Sequence, residues 1–301
     1  MAVLPSINIK TINENYDFLI NGVSYIGSPI NNTVMYISKK IEDKIYALST
    51  CEECLVFAES NISIPKELTE KNCFVLSNNP QLDYVKFVSK FSEIIRKNNR
   101  KRKYSIDKST GICIGENVAI GENAYIEPGA FIDHDVVIGD RAFIGANSII
   151  RNARIGNDFS CGEKTLIGSE SFNFAKNECG EPIKIPSLGT IEIGNNVDIG
   201  PGALVSLAAT SVTKIDDFVK LDAGVVVGHD SHISYCVEIA ANSNLAGYVN
   251  VGKNTFVSLG VIVKNRINIG ENCYIGIGSV VVKDVPDNDK VFGVPARKLR
   301  V

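Results

Sequence analysis

Few side chains in this 301-residue sequence can act as a general base near neutral pH, because it holds only three histidines, His134, His229 and His232. Two of them share the segment VVVGHDSHIS. An imidazole with its ordinary pKa of about 6.5 suits proton transfer at neutral pH. Gly247, in NLAGYV, follows His229 by 18 residues, a spacing that gains meaning from the repeat described next. A glycine beside an imidazole leaves a backbone N–H open to a ligand, and a base next to such a donor is what acyl transfer requires. Asp222, seven residues before His229, is expected to hold the imidazole tautomer, with Asp230 and Glu238 as competing carboxylates. His134, in FIDHDVVIG, reads as a surface corner residue.

These residues must be positioned by a repeat. Steps of six from Ile215 meet Leu221, Val227, Ile233, Ile239 and Leu245, and aliphatic residues continue at that step to Val281. Neither a helix with its period of 3.6 nor a strand with its period of 2 explains this. It fits a parallel β-helix of hexapeptide repeats, in which three flat sides make one coil and residues 18 apart stack. His229 and Gly247 then share one corner on neighbouring coils. Small residues after the aliphatic position, such as Gly228, Ala246 and Gly252, suit a corner where a side chain would crowd the next coil. An earlier series runs from Ile114 to Ile150 and resumes one residue early at Ile155.

The fold class expected is mainly β, a parallel β-helix over residues 105–301 preceded by a small α/β domain over residues 1–104. In the first part, NTVMYISKKI, CLVFAE and NCFVLS read as strands. Asn79-Pro80 opens a helix whose apolar face is Tyr84, Val88, Phe91 and Ile95. The basic run KNNRKRK, Lys97 to Lys103, reads as a solvated linker. The period fails near residues 168–192 and 206–214, and such insertions must leave the coil as loops at a corner. The first carries Phe172, Asn173 and Phe174, which serve either as substrate contacts or as pins for the loop.

Composition excludes several classes. A net charge of -3 gives no electrostatic case for nucleic acid or an anionic membrane. No segment reaches about 18 uninterrupted apolar residues, so no membrane insertion is expected. The start lacks an export signal, which leads to a cytoplasmic expectation with the eight cysteines as reduced thiols. Cys51 and Cys54 form a lone CxxC without four-ligand spacing, and no metal is expected.

The segment IGSESFNFAKNECGEPIKIPSLGTIEIGNNVDIGPGALVS, followed by IDDFVKLDAGVVVGHDSHIS and IAANSNLAGYVNVG, resembles the UDP-3-O-acyl-glucosamine N-acyltransferases of lipid A synthesis. NTVMYISKKIEDKI and SNNPQLDYVKF extend the likeness over nearly the whole chain. The resemblance implies a left-handed coil and a homotrimer with active sites between subunits. It also implies His229 as general base, Asp222 as its partner and the Gly247 N–H as oxyanion donor. The family's uracil-stacking positions fall on Met35 and Ile41, with Tyr36 beside them, and a further active-site histidine aligns with Arg266.

The ending VVVKDVPDNDKVFGVPARKLRV instead resembles hexapeptide acetyltransferases of nucleotide-linked amino sugars, in which a second histidine falls where Glu238 stands. On that likeness the expected reaction is N-acylation of a nucleotide-linked amino sugar, with acetyl-CoA as donor. Gly247, Lys283, Pro295, Arg297, Lys298 and Arg300 are the expected contacts of the CoA. The alternatives are the lipid A reaction itself with an acyl carrier protein as donor, a γ-type carbonic anhydrase, and a non-catalytic β-helix scaffold.

Overall fold

The computed structural model describes residues 4–298. Its larger part is a left-handed parallel β-helix whose three faces are three long parallel sheets. Registers such as Val227↔Leu245, Leu245↔Val263 and Val263↔Val281 reproduce the 18-residue coil. Within each short strand the second residue points inward, so Val205, Val227, Ile233, Leu245, Val251 and Val257 are buried in one continuous core. Each buried aliphatic contributes about 1.5–3 kcal/mol by leaving water, and the column of them makes the period obligatory.

Corners explain the remaining regularity. Asn117, Asn123, Asp135, Asp230, Tyr248 and Arg266 all have φ between 55° and 63°, a left-handed conformation that Asn and Asp tolerate best. At Gly228 an added Cβ would stand 2.4 Å from the carbonyl carbon of Ala246 on the next coil.

At its end the coil shortens by two residues, Ile275 pairing with Val291, and earlier it shortens by one, where Ile138 pairs with Ile155 and Ile150 with Ile167. Two excursions follow. The first leaves after the strand Leu166–Ser169, forms the antiparallel hairpin Phe174–Lys176 and Pro182–Lys184, and rejoins at Thr190–Ile193. The second runs from Leu204–Ser206 to Val212–Ile215. Both depart from the edge between the first face, which holds Val226–Val227, and the second, which holds His232–Ile233. His229 lies on that same edge.

The N-terminal part is a four-stranded parallel sheet of Gly22–Val23, Thr33–Ile37, Leu55–Glu59 and Cys73–Ser77. A helix, Pro80–Asn99, covers one side. Its start is explained by Asn79, whose side chain accepts from the Leu82 N–H at 3.2 Å, with Pro80 in the first turn. The face buried is Tyr84, Val85, Phe87, Val88 and Phe91.

This unit is tied to the coil's loops. Asn79 Nδ2 donates to the Lys176 carbonyl at 3.3 Å, and Lys86 pairs with Glu178 at 3.3 Å. The basic run is anchored as well, because Arg102 donates to Asp135 at 2.9 Å and to the Glu116 carbonyl at 3.0 Å. Its neighbours Arg100, Lys101 and Lys103 stay mostly in solvent.

Candidate active site at one edge of the coil

His229 sits where the first face turns into the second, its side chain 16% exposed. Its Nδ1 lies 2.8 Å from Asp230 Oδ2. Asp230 is almost fully buried, and the second insertion wraps it: the N–H groups of Ala209, Thr210 and Ser211 donate to it at 2.8, 3.2 and 3.1 Å. The Thr210 hydroxyl adds a bond of 3.1 Å. Burial alone would raise the carboxyl's pKa, but the hydrogen bonds from His229 and the loop amides reverse this and hold it below the ordinary carboxylate range. An ionised carboxylate only accepts, so Nδ1 carries the imidazole proton and Nε2 presents a free lone pair.

Gly247 faces that lone pair. A Cβ placed on it would stand 2.5 Å from His229 Nε2, so only glycine leaves room for a reacting group there. The next N–H, that of Tyr248, donates to the His229 carbonyl at 2.8 Å. At some other corners the equivalent N–H donates to a side chain of the next coil, as where Glu116 N donates to His134 Nδ1 at 2.8 Å. Among the described residues the Gly247 N–H has no acceptor.

Asp222 does not take the role expected for it. It lies one corner earlier, after the strand Lys220–Leu221, and its carboxylate accepts from the Ala223 and Ala241 N–H groups at 2.7 and 3.2 Å. Seven residues span more than one flat side, so Asp222 and His229 fall on different edges. Glu238 is also displaced within the chain, being exposed on the third face in Glu238–Ile239.

The other histidines serve elsewhere. His232 Nε2 meets Asp216 Oδ2 at 2.8 Å on the second face. His134 is not a surface residue: it is 5% exposed and stacked by Tyr104 at 4.4 Å. Tyr104, which packs on its ring, lies outside the hexapeptide frame. Among the described residues no three potential ligands converge on a metal position.

A cavity of about 40 Å³ opens beside the edge, lined by Tyr25, Tyr36, Tyr84, Asn173, Tyr248 and Arg266 among others. It gathers three of the expected binding residues, Tyr36, Asn173 and Arg266, from the N-terminal sheet, the first loop and the coil. Tyr248 packs edge-on to the His229 ring at 5.2 Å, and burial raises its phenol pKa to about 12. Tyr36 packs on Tyr84 at 5.3 Å and accepts from Gln81 Nε2 at 3.3 Å. Phe172 and Phe174 contact each other edge-on at 4.9 Å, but Phe172 is 91% exposed and does not line the cavity. Tyr25 and Tyr248 escaped the sequence reading because nothing in their local context marks them. Tyr248 could have been found as the residue 18 beyond Asp230.

Lys283 stands on the His229 edge three coils on, exposed, about 14 Å away at the usual strand spacing. Pro295, Arg297 and Lys298 are exposed at the coil's end, with Lys298 paired to Asp289 and Arg297 donating to the Ala296 carbonyl at 3.1 Å. Arg300 lies outside the described residues.

Comparison with known proteins bears on the family. Residues 117–152 match the family model for bacterial transferase hexapeptide (six repeats). UDP-3-O-acylglucosamine N-acyltransferase 1 of Francisella tularensis subsp. holarctica is 33% identical over 308 aligned positions, covering 97% of this chain and 88% of that one. The chain belongs to the UDP-3-O-acylglucosamine N-acyltransferase family. The family member of Herminiimonas arsenicoxydans is 40% identical over 88 residues, 29% of this chain and 25% of its own length. That match spans a quarter of the relative's length. Among solved structures, UDP-N-acetylglucosamine acyltransferase from Campylobacter jejuni superposes with a TM-score of 0.57 at 22% identity, covering 65% of this chain and 74% of that one. The likeness there is one of fold. The corresponding Bacteroides fragilis enzyme gives 0.56 at 28% identity, over 62% and 72% of the two chains. The carboxylate that meets His229 is Asp230, not the expected Asp222.

Proposed function

We propose that the protein transfers an acyl group from a thioester to the amine of UDP-3-O-acylglucosamine. The family membership favours this acceptor over the broader class of nucleotide-linked amino sugars. The observation that carries the chemistry is the alignment of Asp230, His229 and Gly247 on one edge.

In this reading the sugar amine attacks the thioester carbonyl while His229 Nε2 takes its proton. Asp230 keeps Nδ1 protonated and stabilises the imidazolium that forms. The Gly247 N–H donates to the developing oxyanion. As the tetrahedral intermediate collapses, the C–S bond breaks and the imidazolium returns the proton to the thiolate.

Family membership also turns the donor assignment away from acetyl-CoA and toward a longer acyl chain on a carrier protein. Three copies with the site between neighbours would complete the assembly. Exposed Phe256, Leu259, Ile262 and Ile277 on the later coils support burial against a second copy. Among the described residues no helix is long and apolar enough to cross a membrane.

The test supplies UDP-3-O-acylglucosamine with either a 3-hydroxyacyl carrier protein or acetyl-CoA and follows the N-acylated product. Turnover with the carrier protein supports this reading. Turnover with acetyl-CoA alone restores the acetyltransferase assignment, and product formed equally by wild type and H229A removes His229 as the base.

A further inference from the structure

Charge is unevenly placed along this chain. Residues 96–108 hold seven cations and one anion, although the whole carries a net charge of -3. Lys97, Arg100, Lys101, Lys103 and Lys108 are exposed, and none has an ion-pair partner among the described residues. The carboxylates close to them in the chain are already engaged. Asp107 accepts from the Ser109 and Thr110 N–H groups at 2.8 and 3.3 Å. Glu116 accepts from the Lys103 N–H at 2.9 Å and pairs with Arg102 at 3.4 Å.

The end of the coil that these cations surround is open. Ile132, Ile138 and Ile144 are buried, whereas their counterparts one coil earlier, Ile114, Ile120 and Ile126, stay half-buried. The reason is that the one strand beneath them, Ser105–Ile106, pairs with the first face alone. Ile106 and Tyr125 are 62% and 61% exposed at this end. Cations around an apolar end that carries an exposed aromatic fit the headgroup region of an anionic bilayer. A second copy of the chain fits poorly, because stacking two such ends would oppose like charges.

We propose that the first end of the coil, with Lys97, Arg100, Lys101, Lys103 and Lys108 around it, is a peripheral docking surface for an anionic lipid bilayer. Its purpose rests on the function proposed above, in which the acceptor carries one acyl chain and the product two. One chain holds a molecule to a bilayer marginally and reversibly, whereas two hold it stably. The product therefore belongs in a membrane, and the reaction that consumes it works at a membrane surface. His229 lies five coils from this end, about 24 Å at the usual strand spacing, so docking leaves the active site open.

The experiment is flotation of the full chain with vesicles of phosphatidylethanolamine containing about 30% phosphatidylglycerol, against vesicles of phosphatidylcholine, at about 0.1 and about 0.5 M salt. The expected result is binding to the anionic vesicles alone, largely lost at the higher salt. K97Q/R100Q/K101Q/K103Q should weaken partitioning about 10²-fold or more, at about fivefold per cation. K66Q/K71Q/K253Q/K290Q, with the same charge removed elsewhere, should bind as wild type does. Equal binding by the two variants overturns the proposal, as does no binding to anionic vesicles at the lower salt. An acidic carrier protein or a nucleic acid held by wild type and lost in the first variant, with vesicles ignored, overturns it too and gives the surface to that partner. No acyl substrate enters the assay, so its outcome and that of the acylation test are read independently. Melting temperatures of both variants separate lost binding from misfolding.

Discussion

His229 and Asp230 are neighbours in the chain, yet their side chains meet, with Nδ1 and Oδ2 2.8 Å apart. The contact is possible because Asp230 occupies a left-handed corner, φ 55°, which turns consecutive side chains toward one edge. It is also where the second insertion finds its purpose: four donors from residues 209–211 fix the carboxylate before the imidazole uses it.

Replacing that carboxylate should therefore cost catalysis more than folding. D230N replaces an acceptor-only carboxylate with an amide that can also donate to Nδ1, so the Nδ1–H tautomer is no longer selected, and kcat is expected to fall by about 10²- to 10⁴-fold. D222N should keep turnover near wild type and lose about 1 kcal/mol of stability with its corner hydrogen bonds. Steady-state kinetics on both variants decide the matter, and the reverse ranking would restore Asp222.

The acid limb of stability should report the same residue. Asp230's folded pKa lies below its ordinary value near 3.9, so its ionised form stabilises the fold fully above about pH 5. That contribution is lost as pH falls through the folded value. The stability difference between wild type and D230N should shrink below about pH 4 in denaturant titrations. A difference constant across the acid range would show that the carboxylate is not held ionised by the fold.

Gly247 admits no side chain. In G247A the new methyl must displace the imidazole, since its position lies 2.5 Å from Nε2. We expect kcat to drop at least about 10²-fold, the scale of losing one oxyanion donor, while circular dichroism and melting stay close to wild type. Near-normal turnover would mean the reacting carbonyl binds elsewhere.

The coil's core sets stability independently of the site. Ile233 is fully buried between neighbouring coils, and I233A should cost about 2–5 kcal/mol in urea unfolding. Phe172 is mostly in solvent, so F172A should change stability by under about 0.5 kcal/mol. A large loss in F172A would reveal a packing partner outside the single chain.

What the sequence determined by itself was whatever repeats at short range. A six-residue aliphatic period can be buried only by stacking, so coil length, stacked pairs such as His229 and Gly247, and the positions of both excursions were legible from spacing alone. The N-terminal strands and helix followed equally from local pattern and from the Asn79-Pro80 cap. The tertiary structure decided what depends on direction and on distant contact. Which carboxylate meets His229 turns on a single corner dihedral and on a loop folding back, and neither leaves a periodic trace. Tyr104 of the linker packs on the buried His134 ring, and Tyr25 reached Arg266 across more than 200 residues of chain. A period records which residues stack within the coil, whereas the contacts between the coil and the rest of the chain arise only when surfaces built separately are packed together.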